Sequence, residues 1–101
     1  MSDARRKKNI KDSTKAGKDL ISRLRVRDFE WKHKPGKVCT GLVAQDVLEE
    51  FPDAVGDPDL EDGMYSLSLT AIIPYLIKHN QDQQAEIDAL IARVTELENN
   101  E

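Results

Sequence analysis

The sequence predicts an α+β fold: a small, mostly helical head with a short antiparallel β-hairpin (residues 1–69) and a long C-terminal helix (70–101) forming a parallel trimeric coiled coil. Three observations carry this. Apolar residues repeat on a seven-residue period over the last thirty positions, a run with strict two-residue alternation precedes a Pro-Gly pair, and short stretches at helical spacing flank both. With 101 residues, 39% hydrophobic and 34% charged, the chain allows one small domain plus a projecting helix. Its modest core makes association a source of stability.

Taken in order, Ser2 to Thr14 is polar with Ile10 as its one large apolar residue, and reads as an exposed lead-in. Ala16, Leu20, Ile21 and Leu24 suit a short helix over 15–24, weakened at its first turn by Gly17. From Val26 to Lys32 the side chains alternate, which places Phe29 and Trp31 on one face of a strand. His33 to Lys37 supplies a turn through Pro35 and Gly36, and Val38 to Val43 returns as the second strand. Gly41 in that return marks a bulge or a close backbone approach.

Val47, Leu48 and Phe51 space a helix over Ala44 to Phe51 that Pro52 ends. The acidic stretch Asp53 to Gly63 carries Pro58 and two glycines, and is expected to be the most mobile segment. Tyr65, Leu67 and Leu69 alternate with Ser66 and Ser68 as a strand-like entry to the last helix. Thr70 is expected to cap that helix, with Pro74 in about its first turn.

In that helix Ile73, Asn80, Ile87 and Val94 fill one seam position, and Leu76, Gln83, Leu90 and Leu97 the other. Asn80 and Gln83 form a polar layer that costs stability and fixes register. Arg93-Val94-Thr95-Glu96-Leu97-Glu98 looks like a known trimer-specifying pattern, in which Arg93 reaches Glu98 of a neighbouring chain. A helix folded back on the head is the competing arrangement, but little apolar surface remains there to receive it. The expected partner is a second and third copy of the chain.

Several function classes are disfavoured by composition. The net charge of −4 divides into thirteen Lys/Arg against five Asp/Glu up to Val38, and two against fourteen beyond it. The basic half mixes its cations with acids and lacks stacking aromatics before Phe29, which argues against nucleic-acid binding. No stretch approaches the length of a membrane span, and the N-terminus lacks a signal peptide's apolar core, so the chain reads as cytosolic at synthesis. Cys39 stands alone in an apolar run and reads as a buried structural residue. His33 and His79 lack zinc-site spacing, and the acidic loop does not match a calcium loop, so no metal and no cofactor is called for.

Ser2-Asp3-Ala4-Arg5-Arg6-Lys7 with Asn9-Ile10 resembles the opening motif of the intramolecular chaperone domains at the C-termini of phage tail fibres and tailspikes, the self-cleaving S74 peptidase family. Gly41-Leu42-Val43-Ala44-Gln45-Asp46-Val47 running to Phe51-Pro52, the Phe29-Glu30-Trp31-Lys32 strand, and Tyr65-Ser66-Leu67 leading through Pro74 agree with it in order. The resemblance implies a homotrimer acting on the upstream portion of its own precursor, in the host cytoplasm during phage assembly, with the mature fibre in the virion tail. It also implies single-turnover cleavage before Ser2 by a Ser/Lys dyad, with Ser2 as nucleophile and Lys7 as general base or acid. Asp3, Arg5, Asn9, Gln45 and Asp46 are supporting motif positions, Asp3 and Arg5 as shapers of the turn.

A lysine serves this role only when neutral, which desolvation or nearby cations favour; Arg5 and Arg6 are candidates. Residues five apart on a continuous helix point about 140° away from each other. Ser2 and Lys7 therefore meet only through a bend, or the lysine comes from another subunit. Met1 alone precedes Ser2, so the chain reads as the released, inactive product. The alternatives are a structural trimerisation module that never cleaves and the related domain of a membrane-anchored transcription factor.

Overall fold

The computed structural model describes residues 2–14 and 17–100. Lys15 and Ala16, which were expected to open the first helix, lie outside the described residues. In chain order come a 3-10 turn at Ala4–Arg6, helix α1 (Gly17–Arg23), strands β1 (Arg27–Trp31) and β2 (Lys34–Gly41), helix α2 (Ala44–Glu50), a 3-10 turn at Pro52–Ala54, and helix α3 (Leu69–Asn99). The fold is α+β with one antiparallel hairpin and a long C-terminal helix, as predicted.

The core is small because few elements meet in it. Leu20 from α1, Val47 from α2, Phe51 and Ala54 around the Pro52 turn, and Ile72 from α3 are buried. Ile21, Leu24, Leu42, Val55, Leu67, Ala71 and Tyr75 pack around them. Phe51 and Tyr75 meet edge to face with ring centroids 4.7 Å apart, which fixes α3 against α2. Two ion pairs add tethers: Arg23 Nε to Glu50 Oε2 at 2.7 Å joins α1 to α2, and Arg27 Nε to Asp46 Oδ2 at 2.9 Å joins β1 to α2.

The hairpin differs from expectation at its tip. Trp31 pairs with Lys34, so Lys32 and His33 make the turn, and Pro35-Gly36 lies inside β2. Between the Phe29–Cys39 and Trp31–Lys34 pairs, Glu30 alone faces the longer run Pro35 to Val38, a bulge. Gly36 takes φ +93°, which a side chain resists, and its amide donates to Glu30 Oε1 at 2.7 Å. Glu30 thus satisfies backbone that the bulge leaves unpaired. A Cβ on Gly41 would stand 3.3 Å from Phe29 Cε1, the close approach its position suggested. Cys39 is half-buried on this hairpin rather than in the core, because a two-stranded sheet covers only one face.

The acidic loop carries more structure than its composition suggested. Val55 bridges Leu67, Gly56 N donates to Ser66 O at 3.0 Å, and Asp59 N donates to Met64 O at 2.9 Å. Asp59 Oδ1 accepts from Glu61 N, and Asp62 Oδ1 from Met64 N. The excursion is a narrow stem whose tip presents Leu60 fully exposed.

Helix α3 begins at Leu69, one residue before Thr70. Ser68 is its N-cap, without a side-chain capping bond, and its hydroxyl lies 3.1 Å from that of Thr70. Pro74 therefore falls in the second turn, where its missing N–H leaves the Thr70 carbonyl without a helical donor. Only the first turns of α3 touch the head. Beyond them the helix projects, giving the chain extents of 66 × 44 × 21 Å.

Candidate functional site

Three features of this fold are candidates for function: the N-terminal arm, the exposed side of α3 and a groove beside the hairpin. In the arm, Asp3 caps the 3-10 turn, with Oδ1 accepting from Arg5 N at 2.8 Å and its two oxygens gripping the Arg5 guanidinium at 2.7–3.2 Å. Arg5 beside it holds the Asp3 carboxyl below the usual carboxylate range. Arg6 N and Lys7 N close the turn on the carbonyls of Asp3 and Ala4. At Lys7 the backbone becomes extended, and Asn9 bends it again with φ +56°, a conformation asparagine tolerates better than most residues.

Ser2 and Lys7 thus flank one tight turn instead of riding on one helix. Both are exposed, and among the described residues no hydrogen bond joins them. The arm exposes its whole length from Ser2 to Thr14, Ile10 included. Of the two cations expected to influence Lys7, Arg5 is held by Asp3, which leaves Arg6.

Asp46 and Gln45 separate in role. Asp46 stands in the first turn of α2 and is held by Arg27, whose hydrogen bond outweighs partial burial and draws the carboxyl down. Gln45, next to it, faces solvent. Arg27 was missed from sequence because its partner lies nineteen residues on, beyond any local pattern.

On α3 the seam residues Ile73, Leu76, Ile87, Leu90, Val94 and Leu97 are all about half exposed. Ile77 and Ile91 join them one position beyond the second seam, widening the stripe; these two were missed because only two seam positions were tracked. Counting back seven from Leu76, Leu69 continues the same row. Asn80 and Gln83 interrupt it with a polar layer, exposed on the same helix. Among the described residues no helix is long and apolar enough to cross a membrane, and no group of His, Cys, Asp and Glu is placed to hold a metal ion. His79, expected at the surface, is half-buried with Nδ1 shielded and unpartnered.

A third feature lies between the hairpin and the segment entering α3. Phe29, Trp31, Leu42, Tyr65, Leu67 and Leu69 line an open groove of about 680 Å³. Phe29 and Trp31 meet edge to face at 5.2 Å and form one wall.

The sequence profile of the family Peptidase_S74, chaperone of endosialidase, matches residues 2–56, more than half of the chain. The matched region runs from the arm through α1, the hairpin and α2 to the Pro52 turn. Among curated proteins none matches.

Proposed function

The chain belongs to the Peptidase_S74 family, chaperone of endosialidase, and from that membership we propose that it is an intramolecular chaperone which trimerises through α3, holds an upstream fibre or tailspike segment in register, and is released by cleavage before Ser2. The observation that carries this reading is the juxtaposition of an exposed, turn-bearing arm at Ser2–Lys7 with a helix whose apolar stripe is unpartnered over six turns or so.

The stripe supplies the drive. Fully burying one Leu, Ile or Val side chain stabilises by about 1.5–3 kcal/mol, against about 0.2–1 kcal/mol for an exposed ion pair. The seam therefore drives association, and Arg93 with Glu98 of a neighbour selects three parallel chains. A trimer that forms first raises the local concentration of the three upstream segments, whose interchain pairing is otherwise slow. Cleavage afterwards leaves the product kinetically trapped.

In the cleavage step Ser2 Oγ attacks the carbonyl of the preceding residue. Lys7, as neutral amine, takes the hydroxyl proton and returns it to the leaving Ser2 amine; water then resolves the ester between Oγ and the upstream chain. The 3-10 turn supports this by bending the chain between the two residues. Lys7 is exposed in the separate chain, so desolvation of its amine comes from the precursor or a neighbouring subunit. The same placement suits a lysine from one chain serving the serine of the next.

The test is a precursor carrying its native upstream residues, compared with Ser2→Ala and Lys7→Ala on denaturing gels and by sedimentation. Splitting before Ser2 in the wild type, with both variants intact yet trimeric, is the expected result. Uncut trimers in all three would replace the self-cleaving reading with that of a structural trimerisation foot.

A further inference from the structure

We propose that the aromatic groove of one chain receives the Leu60 loop of a second copy, so that the heads form a closed ring of knob-and-hole contacts in addition to the helical seam. This rests on the self-association reading above, and adds to it a surface that the helix pattern does not contain.

The knob is built and empty-handed. Leu60 is fully exposed at the loop tip. Its stem is held by the Val55–Leu67 bridge and by the Gly56–Ser66 and Asp59–Met64 hydrogen bonds. The carboxylates of Asp59 and Asp62 fasten the turn from within. A tip already ordered loses little conformational freedom on docking.

The hole is equally built. Trp31 and Leu69 are each more than half exposed on its lining, an unfavourable state for the largest side chain in the protein. Charge decides which occupant fits. On the groove lining stand Lys32 and Glu30, whose carboxylate accepts from the Gly36 amide, with Lys34 and Lys37 further along the hairpin, while Leu60 is flanked by Asp57, Asp59, Glu61 and Asp62. An acidic loop with an apolar tip suits an apolar groove on a hairpin rich in lysine.

Leu60 does not fill the groove of its own chain, since it is fully exposed there. The contact is therefore heterologous, one patch against a different patch, and such contacts close into rings when the copies are related by rotation. The helix places the groove where a ring forms, because Leu69 belongs both to the groove lining and to the seam row of Leu76 and Leu90.

Trp31 is the only tryptophan in the chain, so its emission reports on the groove alone. Fluorescence and acrylamide quenching are read on the full chain across a dilution series, with sedimentation on the same samples and Leu90→Asp/Val94→Asp as the dissociated reference. In the assembled wild type the emission is expected to shift to the blue and quenching to fall. Leu60→Ser should restore quenching to the reference level while sedimentation stays that of the assembly. Glu61→Lys should do so in part, and Lys32→Glu in the same chain should reverse it.

An assembly in which Trp31 is quenched as readily as in the dissociated chain overturns the ring, yet leaves the helical seam standing. Shielding that survives Leu60→Ser overturns the loop as occupant and points to another segment. A wild-type chain that never associates overturns both the ring and the trimeric reading beneath it.

Discussion

Asp3 is the residue on which the arm's geometry turns, since it caps the 3-10 turn and anchors Arg5 at once. The carboxyl is held below its ordinary value, so its contribution is present above about pH 4 and is lost as pH falls through the lower folded value. In an NMR titration the Asp3 carboxyl carbon and the Arg5 Nε–H should shift together as Asp3 takes up its proton. Asparagine can still cap but cannot pair with Arg5; alanine can do neither. In the precursor, Asp3→Asn should therefore cleave faster than Asp3→Ala, as read from gel time courses, and equal rates would remove the turn from the mechanism. A comparable separation holds at Asp46, where Arg27→Ala should return the carboxyl toward its ordinary value by freeing its main partner.

Among the elements, α3 shows where local patterns are legible and where they stop. Its heptad spacing was legible because it is a local pattern along one helix face, whose apolar residues from Ile73 to Leu97 are about half exposed. Its first residue was not, because Ser68 and Thr70 are both acceptable caps and the head's packing around Ile72 decides between them. Moving the cap from Thr70 to Ser68 carries Pro74 from about the first turn into the second. Pro74→Ala should restore the donor to Thr70 and stabilise by up to about 3 kcal/mol, seen as a raised midpoint in thermal circular dichroism. The hairpin teaches the same lesson: alternation identified the strands and their aromatic face. The bulge at Pro35-Gly36 followed from a nonlocal acceptor, Glu30, that no turn preference encodes. In the core, Ile72→Ala should cost about 2–5 kcal/mol by urea unfolding, a large share of what so few buried residues supply.

For the whole molecule the balance of surfaces matters most. Among the described residues only five hydrophobic side chains are buried, four in the head and Ile72 at the start of α3, while the apolar stripe of α3 stays about half exposed, so the proposed trimer would add apolar burial that the single chain lacks. Leu90→Asp with Val94→Asp should convert the sedimenting species to single chains while the head's near-ultraviolet signal changes little. Wild-type midpoints should rise with protein concentration, as linkage to assembly requires. The arm's turn motif was legible because it is contiguous. The groove was not, since its walls come from residues 29–44 and 65–69, which only the folded chain brings side by side.

The projecting half of α3 has a further consequence, for exchange of amide protons with deuterium. Its backbone is hydrogen-bonded along its length, but beyond the first turns nothing of the head covers it, so opening there exposes no core. In a separated chain the amides of residues 83–99 should trade for deuterium far sooner than those around Val47 and Ile72. In the assembly the order should invert at Ile87 to Val94, making the most naked stretch of the single chain among the last to exchange.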